Sequence, residues 1–269
     1  MSDKPYLSSS QMNMLWRCGE QYRRRYIEGE RIPPGVAAVI GTGTHRSVEA
    51  NLSHKMDTGE LLTIEEVSAV ARDGLDAAWD DGVALSEVER AKGEKKTKGE
   101  AIDQAVALSV LHHAELAPTI EPVGLEEKFV VGMNGYPFNL LGYIDIKEVA
   151  GIRDTKTAAR APGQDEADTS EQLTVYAKGF QATEGRLPEQ LVLDYLVKTK
   201  TPKVVTYTTK RTEQDLSVLE ARFGQACRII EAEMFTPTSR SNWWCSEKWC
   251  GYFDTCPYAK GRVSITSLI

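Results

Sequence analysis

The stretch from Phe129 to Lys156 constrains the fold more than any other part of the chain. Phe129-Val130-Val131 and Phe138-Asn139-Leu140-Leu141-Gly142-Tyr143-Ile144 are short runs of strand formers, with Asn134-Gly135 between them. Asn-Gly accepts the positive φ that a tight turn demands, so the pattern predicts a β-hairpin. Upstream the period is helical. Met14, Leu15, Cys18, Tyr22 and Tyr26 recur at three- and four-residue steps, which predicts a serine-capped helix from Ser10 to about Ile27. Further helices are expected from Val36 or Thr44 to His54, from Thr63 to about Asp81 and from Glu100 to Leu116. The charged, glycine-containing segment 87–99 reads as a surface loop or a mobile helix end. Beyond the hairpin, a strand is expected at Gly151 to Lys156, a helix from Ser170 to about Gln181, strands at Gln190 to Val197 and Val204 to Thr208, and a helix from Thr212 to Phe235. Helices before a compact sheet, with one helix interrupting its strands, describe an α/β core with an N-terminal helical addition. We divide the chain at 1–120 (helical region), 121–235 (core) and 236–269 (cysteine-rich tail).

With 269 residues and 41% hydrophobic side chains, the chain can bury a real core. It has no run of about 20 apolar residues, and its first residues lack the basic-then-apolar order of a secretory signal, so a cytoplasmic location away from membranes is expected. Five cysteines, an odd number, argue against a disulfide framework and leave metal binding or buried thiols. A net charge of -7 runs against the basic surface that phosphate neutralisation usually needs. Basic residues are nevertheless clustered, at Arg23 to Arg25, Lys92 to Lys98 and Lys198 to Arg211. We expect Arg23, Arg24, Lys198 and Lys200 to approach a nucleic acid.

The chemistry concentrates in Asp145, followed by Asp154-Thr155-Lys156. Two carboxylates at the ends of adjacent hairpin strands can converge on one hard cation. On a strand, Asp154 and Lys156 point to the same face, which sets an ammonium beside whatever the carboxylates hold. His45 and Glu49 stand at i, i+4 on a predicted helix, and Gln172 and Tyr176 repeat that spacing downstream.

In this order and at these intervals, His45, Asp145, Asp154-Thr155-Lys156 and Gln172-x-x-x-Tyr176 resemble the RecB-like branch of the PD-(D/E)XK nucleases, which includes CRISPR-adaptation nucleases and viral recombination exonucleases. The resemblance runs from about Ser8 to Tyr258. It implies a restriction-endonuclease-like core with a mixed central sheet flanked by helices, and a magnesium- or manganese-dependent deoxyribonuclease, expected to act as an exonuclease. His45, Asp145, Asp154 and the Thr155 carbonyl would then bind the metal, and Lys156 would orient the attacking water. Gln172 and Tyr176 would hold the lysine or the DNA backbone, with Glu49 in support. With no Gly-Lys-Thr phosphate loop in the sequence, unwinding would fall to a helicase or recombination partner. The alternative is a binding module that holds nucleic-acid ends through its cysteines without cutting, but it has no use for the Asp145, Asp154 and Lys156 set.

Cys245, Cys250 and Cys256 fall within twelve residues, and a fourth thiolate would complete a tetrahedral zinc site or a cubane. Cys18 and Cys227 compete for that place. Cys227, in an apolar helix, reads as a buried small hydrophobe. The resemblance favours Cys18 and a 4Fe-4S cluster, with structural zinc as the alternative, although Cys-x4-Cys-x5-Cys is wider at its first pair than the family's usual spacing. Trp243, Trp244, Trp249 and Tyr252 could pack over that site or stack on the bases of a single strand.

Overall fold

The structure is a computed structural model that describes residues 4–259. In chain order its elements are β1 (Tyr6–Ser8), α1 (Ser9–Arg17), α2 (Gly19–Tyr22), α3 (Val36–Thr58), α4 (Ile64–Asp80), α5 (Glu87–Lys92), α6 (Glu94–Glu115), β2 (Pro122–Val131), β3 (Asn139–Glu148), β4 (Gly151–Ala158), α7 (Gln164–Thr169), α8 (Glu171–Glu184), β5 (Gln190–Val197), β6 (Lys203–Thr209) and α9 (Glu213–Glu231). The chain divides into two compact units, the smaller made of residues 1–32, 130–141 and 217–269, the larger of 33–129 and 142–216.

In the larger unit β2 pairs β3, β3 and β4 run antiparallel, β4 and β5 parallel, and β5 and β6 antiparallel. The sheet is therefore mixed, as expected. β5 is buried at every residue after Gln190, which explains its unbroken apolar run, since both its edges and both its faces are covered. Val39 and Leu52 of α3, Leu75 of α4 and Leu108 of α6 meet Ile146 and Leu196 from the sheet in one apolar core. Full burial of each large aliphatic side chain contributes about 1.5–3 kcal/mol. Gly43 lets α3 approach α4, because a Cβ there would lie 2.8 Å from the Ala71 carbonyl oxygen. Ser170 caps α8, which follows β4 and α7 and leads into β5.

The smaller unit is assembled from distant pieces of chain. β1 pairs parallel with residues 139–141 of β3. Ser8 and Gln11 form a reciprocal capping box at the start of α1. The single helix expected from Ser10 to Ile27 is broken at Cys18, which is extended (φ -165°, ψ 111°), and resumes as α2 and a π-helical turn over Arg23–Ile27. The cause is long-range: Gly19 donates its N–H to the Thr236 carbonyl at 2.9 Å instead of to its own helix. A Cβ on Gly19 would lie 2.7 Å from that same backbone, so only glycine permits the approach.

The segment 87–99 also departs from expectation. It is helical except at Gly93, because Ser86 and Glu89 form a capping box and Lys92 and Lys98 find carboxylate partners in Glu100, Asp76 and Asp80. The remaining predicted elements are present, with α9 ending at Glu231 short of Phe235.

Candidate active site

All of the residues singled out for chemistry in the core lie in the larger unit, where α3, β3, β4 and α8 each deliver one or more of them. Strand alternation sends Asp154 and Lys156 to one face of β4, and the antiparallel register of β3 (Ile146 opposite Arg153) brings Asp145 to that face. Gln172 and Tyr176, one turn apart on α8, cover it.

These groups form one connected network. The Lys156 ammonium lies 2.7 Å from Asp154 Oδ2 and donates to Gln172 Oε1 at 2.8 Å. Gln172 Nε2 donates to the Tyr176 hydroxyl at 2.6 Å and lies 3.4 Å from Asp154 Oδ1. The Tyr176 hydroxyl donates to Asp145 Oδ1 at 3.2 Å, and the other oxygen of Asp145 stands 3.1 Å from His45 Nε2. Gln172 thus accepts from the lysine and donates to its neighbours, a role glutamate could not fill because a carboxylate has no N–H to give.

Glu126 belongs to this site and was not foreseen. Its Oε1 lies 3.5 Å from His45 Nε2, and ligand atoms of His45, Glu126 and Asp145 fall within 4.8 Å of one another. The residue sits on β2 with φ 48°, a left-handed conformation rare outside glycine, so the strand is distorted where it presents this carboxylate. Glu126 Oε1 is buried without a hydrogen-bond partner. An orphaned carboxylate oxygen beside an imidazole and a second carboxylate is a donor set suited to a divalent cation. Glu126-Glu127, next to the hairpin, was the available signal: adjacent strand residues face opposite ways, so one of the pair had to face the sheet's site side.

The electrostatics point the same way. The His45 imidazole is raised to about 9, first by its hydrogen bond to Asp145, against burial, and then by the charges of Asp145, Glu126 and Asp154. Burial pushes the Asp154 carboxyl up, Lys156 opposes this, and Asp145 adds to it. Burial is the largest influence on Asp145 and works to raise it, but the His45 bond and charge, the Asp154 bond and the Lys156 charge together outweigh it, and the net direction is down. Burial raises Glu126 despite His45. Excess negative potential in a desolvated pocket binds a proton on His45 when nothing else is offered, and a metal ion would compete for the same place.

His45 and Glu126 open onto a cleft of about 650 Å³, which is also lined by Gly41, Thr42, Arg46, Glu49, Thr155 and Thr157. Glu49 thus shares the cleft with His45, one helical turn away. Thr155 is buried, and its hydroxyl has no partner. Of the basic residues expected near a nucleic acid, Arg23 is engaged by Glu20 and Glu28 and Arg24 by Glu30, whereas Lys198 is half-buried and Lys200 exposed at the end of β5.

In the smaller unit, Cys18, Cys245, Cys250 and Cys256 line a single cavity with Gln21, Trp244, Tyr252 and Phe253. Gln21 Nε2 lies 3.1 Å from Cys250 Sγ, and the Thr238 N–H points at Cys18 Sγ at 3.4 Å. The break in the N-terminal helix is what turns Cys18 to this cavity. Cys227 is buried in α9 and takes no part in lining it. Burial raises the thiols of Cys245 and Cys256, with Arg240 opposing it at Cys245.

Residues 6–257 match the PD-(D/E)XK nuclease superfamily, and the chain belongs to that superfamily. Among solved structures it is similar to a protein of Eubacterium rectale provisionally named an exonuclease, at 12% identity and a TM-score of 0.55, over 99% of this chain and 93% of that one. At that identity the likeness speaks for the fold alone, and the fold it shares is the α/β arrangement of a mixed sheet flanked by helices. The protein SSO0001 is also 12% identical over 92% of this chain and 96% of that one, at a TM-score of 0.35, too low to bear on the fold. No curated protein sequence matches the chain. No helix among the described residues is long and apolar enough to cross a membrane.

Proposed function

We propose that this chain is a divalent-metal-dependent DNA nuclease of the RecB-like branch, acting as an exonuclease in DNA end processing, recombination or repair. The observation that carries the reading is the unbroken network from Lys156 through Gln172, Tyr176 and Asp145 to His45, with Glu126 beside it. In this reading His45, Asp145, Asp154 and the Thr155 carbonyl hold magnesium or manganese, Glu126 adds a carboxylate, and Glu49 supports them from the next helical turn. Such an ion, when bound, polarises a phosphodiester and makes an attached water acidic. Lys156 orients the attacking water and offsets phosphate charge, Gln172 fixes the lysine, and Tyr176 fixes one oxygen of Asp145. A helicase or recombination partner and a cytoplasmic setting belong to the same proposal. The test is digestion of end-labelled linear DNA beside closed circular DNA, with magnesium or manganese and then with excess chelator. Loss of label only from free ends, and only with metal, is expected; undiminished cutting in chelator removes the metal, and equal cutting of circles removes the exonuclease.

For the second unit we assign Cys18, Cys245, Cys250 and Cys256 to a 4Fe-4S cluster. Four thiolates around zinc at 2.3 Å stand about 3.8 Å apart. Among the described residues the only trio of candidate ligand atoms within 4.8 Å is His45, Glu126 and Asp145, so these sulfurs are spread more widely than one zinc ion needs. That spread favours a cluster. Protein purified without oxygen should be brown and contain iron and sulfide, whereas a colourless, zinc-loaded protein selects structural zinc and leaves the nuclease reading intact.

A further inference from the structure

The cysteine-rich tail carries three indoles that the proposed chemistry leaves unused. Trp243 and Trp244 stack with ring centroids 4.2 Å apart, and Trp249 stands edge-on to them at 5.3 Å and 5.8 Å. They differ in what they cover. Trp244 lines the cysteine cavity and has the Arg17 guanidinium 4.4 Å from its ring centroid. Trp243 and Trp249 line no part of that cavity and are 58% and 48% exposed. Packing accounts for the first ring and leaves two large aromatic faces in water, the kind of apolar exposure that marks an interaction site. The Lys248 ammonium lies 4.9 Å from the Trp249 ring centroid.

We propose that Trp243 and Trp249, flanked by Lys248 and Arg17, form a stacking platform for unpaired bases of single-stranded DNA. The choice of nucleic acid rests on the nuclease reading; the platform itself rests on these rings. Every base offers a π-face, so an indole pair binds without regard to sequence, and adjacent cations meet the phosphates. Paired bases inside a duplex have no free face, so the surface selects single strands and frayed ends. Trp243 is backed by the stacked Trp244 ring, and the Arg17 guanidinium against Trp244 is itself held by Gln21 Oε1 at 3.0 Å, with Gln21 in turn contacting Cys250. Charge favours a polyanion, because the unit's sequence carries 12 basic against 9 acidic residues. A second copy of this chain is the poorer occupant, since a two-fold contact through the same patch would bring Lys248 toward its own equivalent.

The test measures binding of the full chain to labelled oligo(dT) and to a duplex closed by hairpins at both ends, in chelator so that nothing is cut. Trp243→Ala with Trp249→Ala is expected to lower oligo(dT) affinity about ten-fold or more, with closed-duplex affinity and melting temperature unchanged. Phenylalanine at both positions should restore most of the loss. Unchanged oligo(dT) affinity, or an equal loss for the closed duplex, overturns the platform, as does a change in sedimentation from dimer to monomer. Should the alanine variant fail to fold, the wild-type tryptophan fluorescence decides: quenching by oligo(dT) is expected, and its absence overturns the proposal. These readouts need no cleavage, so an inactive chain that still binds oligo(dT) would sink the nuclease reading alone.

Discussion

The two units differ in charge as sharply as in composition. The larger has 20 basic and 30 acidic residues, a net of -10, and contains the His45, Glu126, Asp145 and Asp154 cluster; the smaller has 12 against 9, a net of +3, and contains the cysteine cavity and the exposed indoles. The total of -7 therefore describes neither. A cation site needs concentrated carboxylate, and a phosphate-binding surface needs the opposite. Because fields are screened within about 8 Å at physiological salt, one chain can carry both when they occupy separate units.

The largest effect that tests this division belongs to the acidic unit. Asp154→Asn and Lys156→Ala remove a charge and an ammonium without emptying core volume, and each is expected to lower DNA cleavage by about 10³-fold or more. Melting temperature and oligo(dT) binding should stay near wild type. Wild-type cleavage rates in either variant would remove the residues from the chemistry, and lost DNA binding would break the separation of roles.

Glu126→Gln comes next. It keeps shape and hydrogen-bonding capacity but deletes one negative charge beside His45, so half-saturation with manganese should move about ten-fold or more upward. Activity at saturating metal should partly recover. A metal titration that does not move would leave Glu126 as a bystander to the distorted strand.

What the sequence made legible follows from range. Asp154 and Lys156 are two residues apart on a strand, Gln172 and Tyr176 four apart on a helix, and such spacings fix a shared face before the fold is known. Glu126 was legible only in part: the pair Glu126-Glu127 puts one carboxylate on the site side of the strand, but which one and how it is presented depends on φ 48° within β2, a tertiary effect. The break at Cys18 was hidden for the same reason, since the Thr236 carbonyl that causes it lies over two hundred residues away in the chain. β1 is three residues long and has its partner at residues 139–141, so nothing local announces it. The capping box at Ser86 and Glu89 was readable in segment 87–99, and the density of charge there obscured it.

A smaller effect should come from Lys198 and Lys200, at the end of the strand that pairs with the Asp154 and Lys156 strand. Burial lowers the pKa of Lys198, and a bound phosphate would favour its charged form. Lys198→Glu with Lys200→Glu should weaken DNA binding several-fold and reduce the salt slope by about one to two. The manganese requirement should not change. An unaltered slope takes these lysines off the DNA path and leaves the positive unit as the main phosphate contact.

The smallest effect at neutral pH, and one that grows in acid, separates the units by stability. His112 in α6 is 1% exposed, and neither ring nitrogen has a hydrogen-bond partner. Burial, then the charges of Arg153, His113 and His45, lower its pKa to about 3 from 6.5. The unfolded chain takes up a proton at this residue below about pH 6.5, and the folded chain refuses it until about pH 3. Stability is therefore unaffected above this window and is lost as pH falls through it, by up to about 1.4 kcal/mol per pH unit. His112→Leu fills similar space without the titrating ring, so it should flatten the fall in denaturant midpoint between pH 6 and pH 4, windows of about this width being set by the shift itself. Hydrogen exchange should locate the difference: in the wild type, amides of α3, α4 and α6 lose protection in mild acid before those of α1 and the later part of α9. If His112→Leu follows the wild-type curve, carboxylates rather than His112 govern acid sensitivity. Simultaneous loss in both units would mean that they unfold together and that the difference between them lies in charge and chemistry alone.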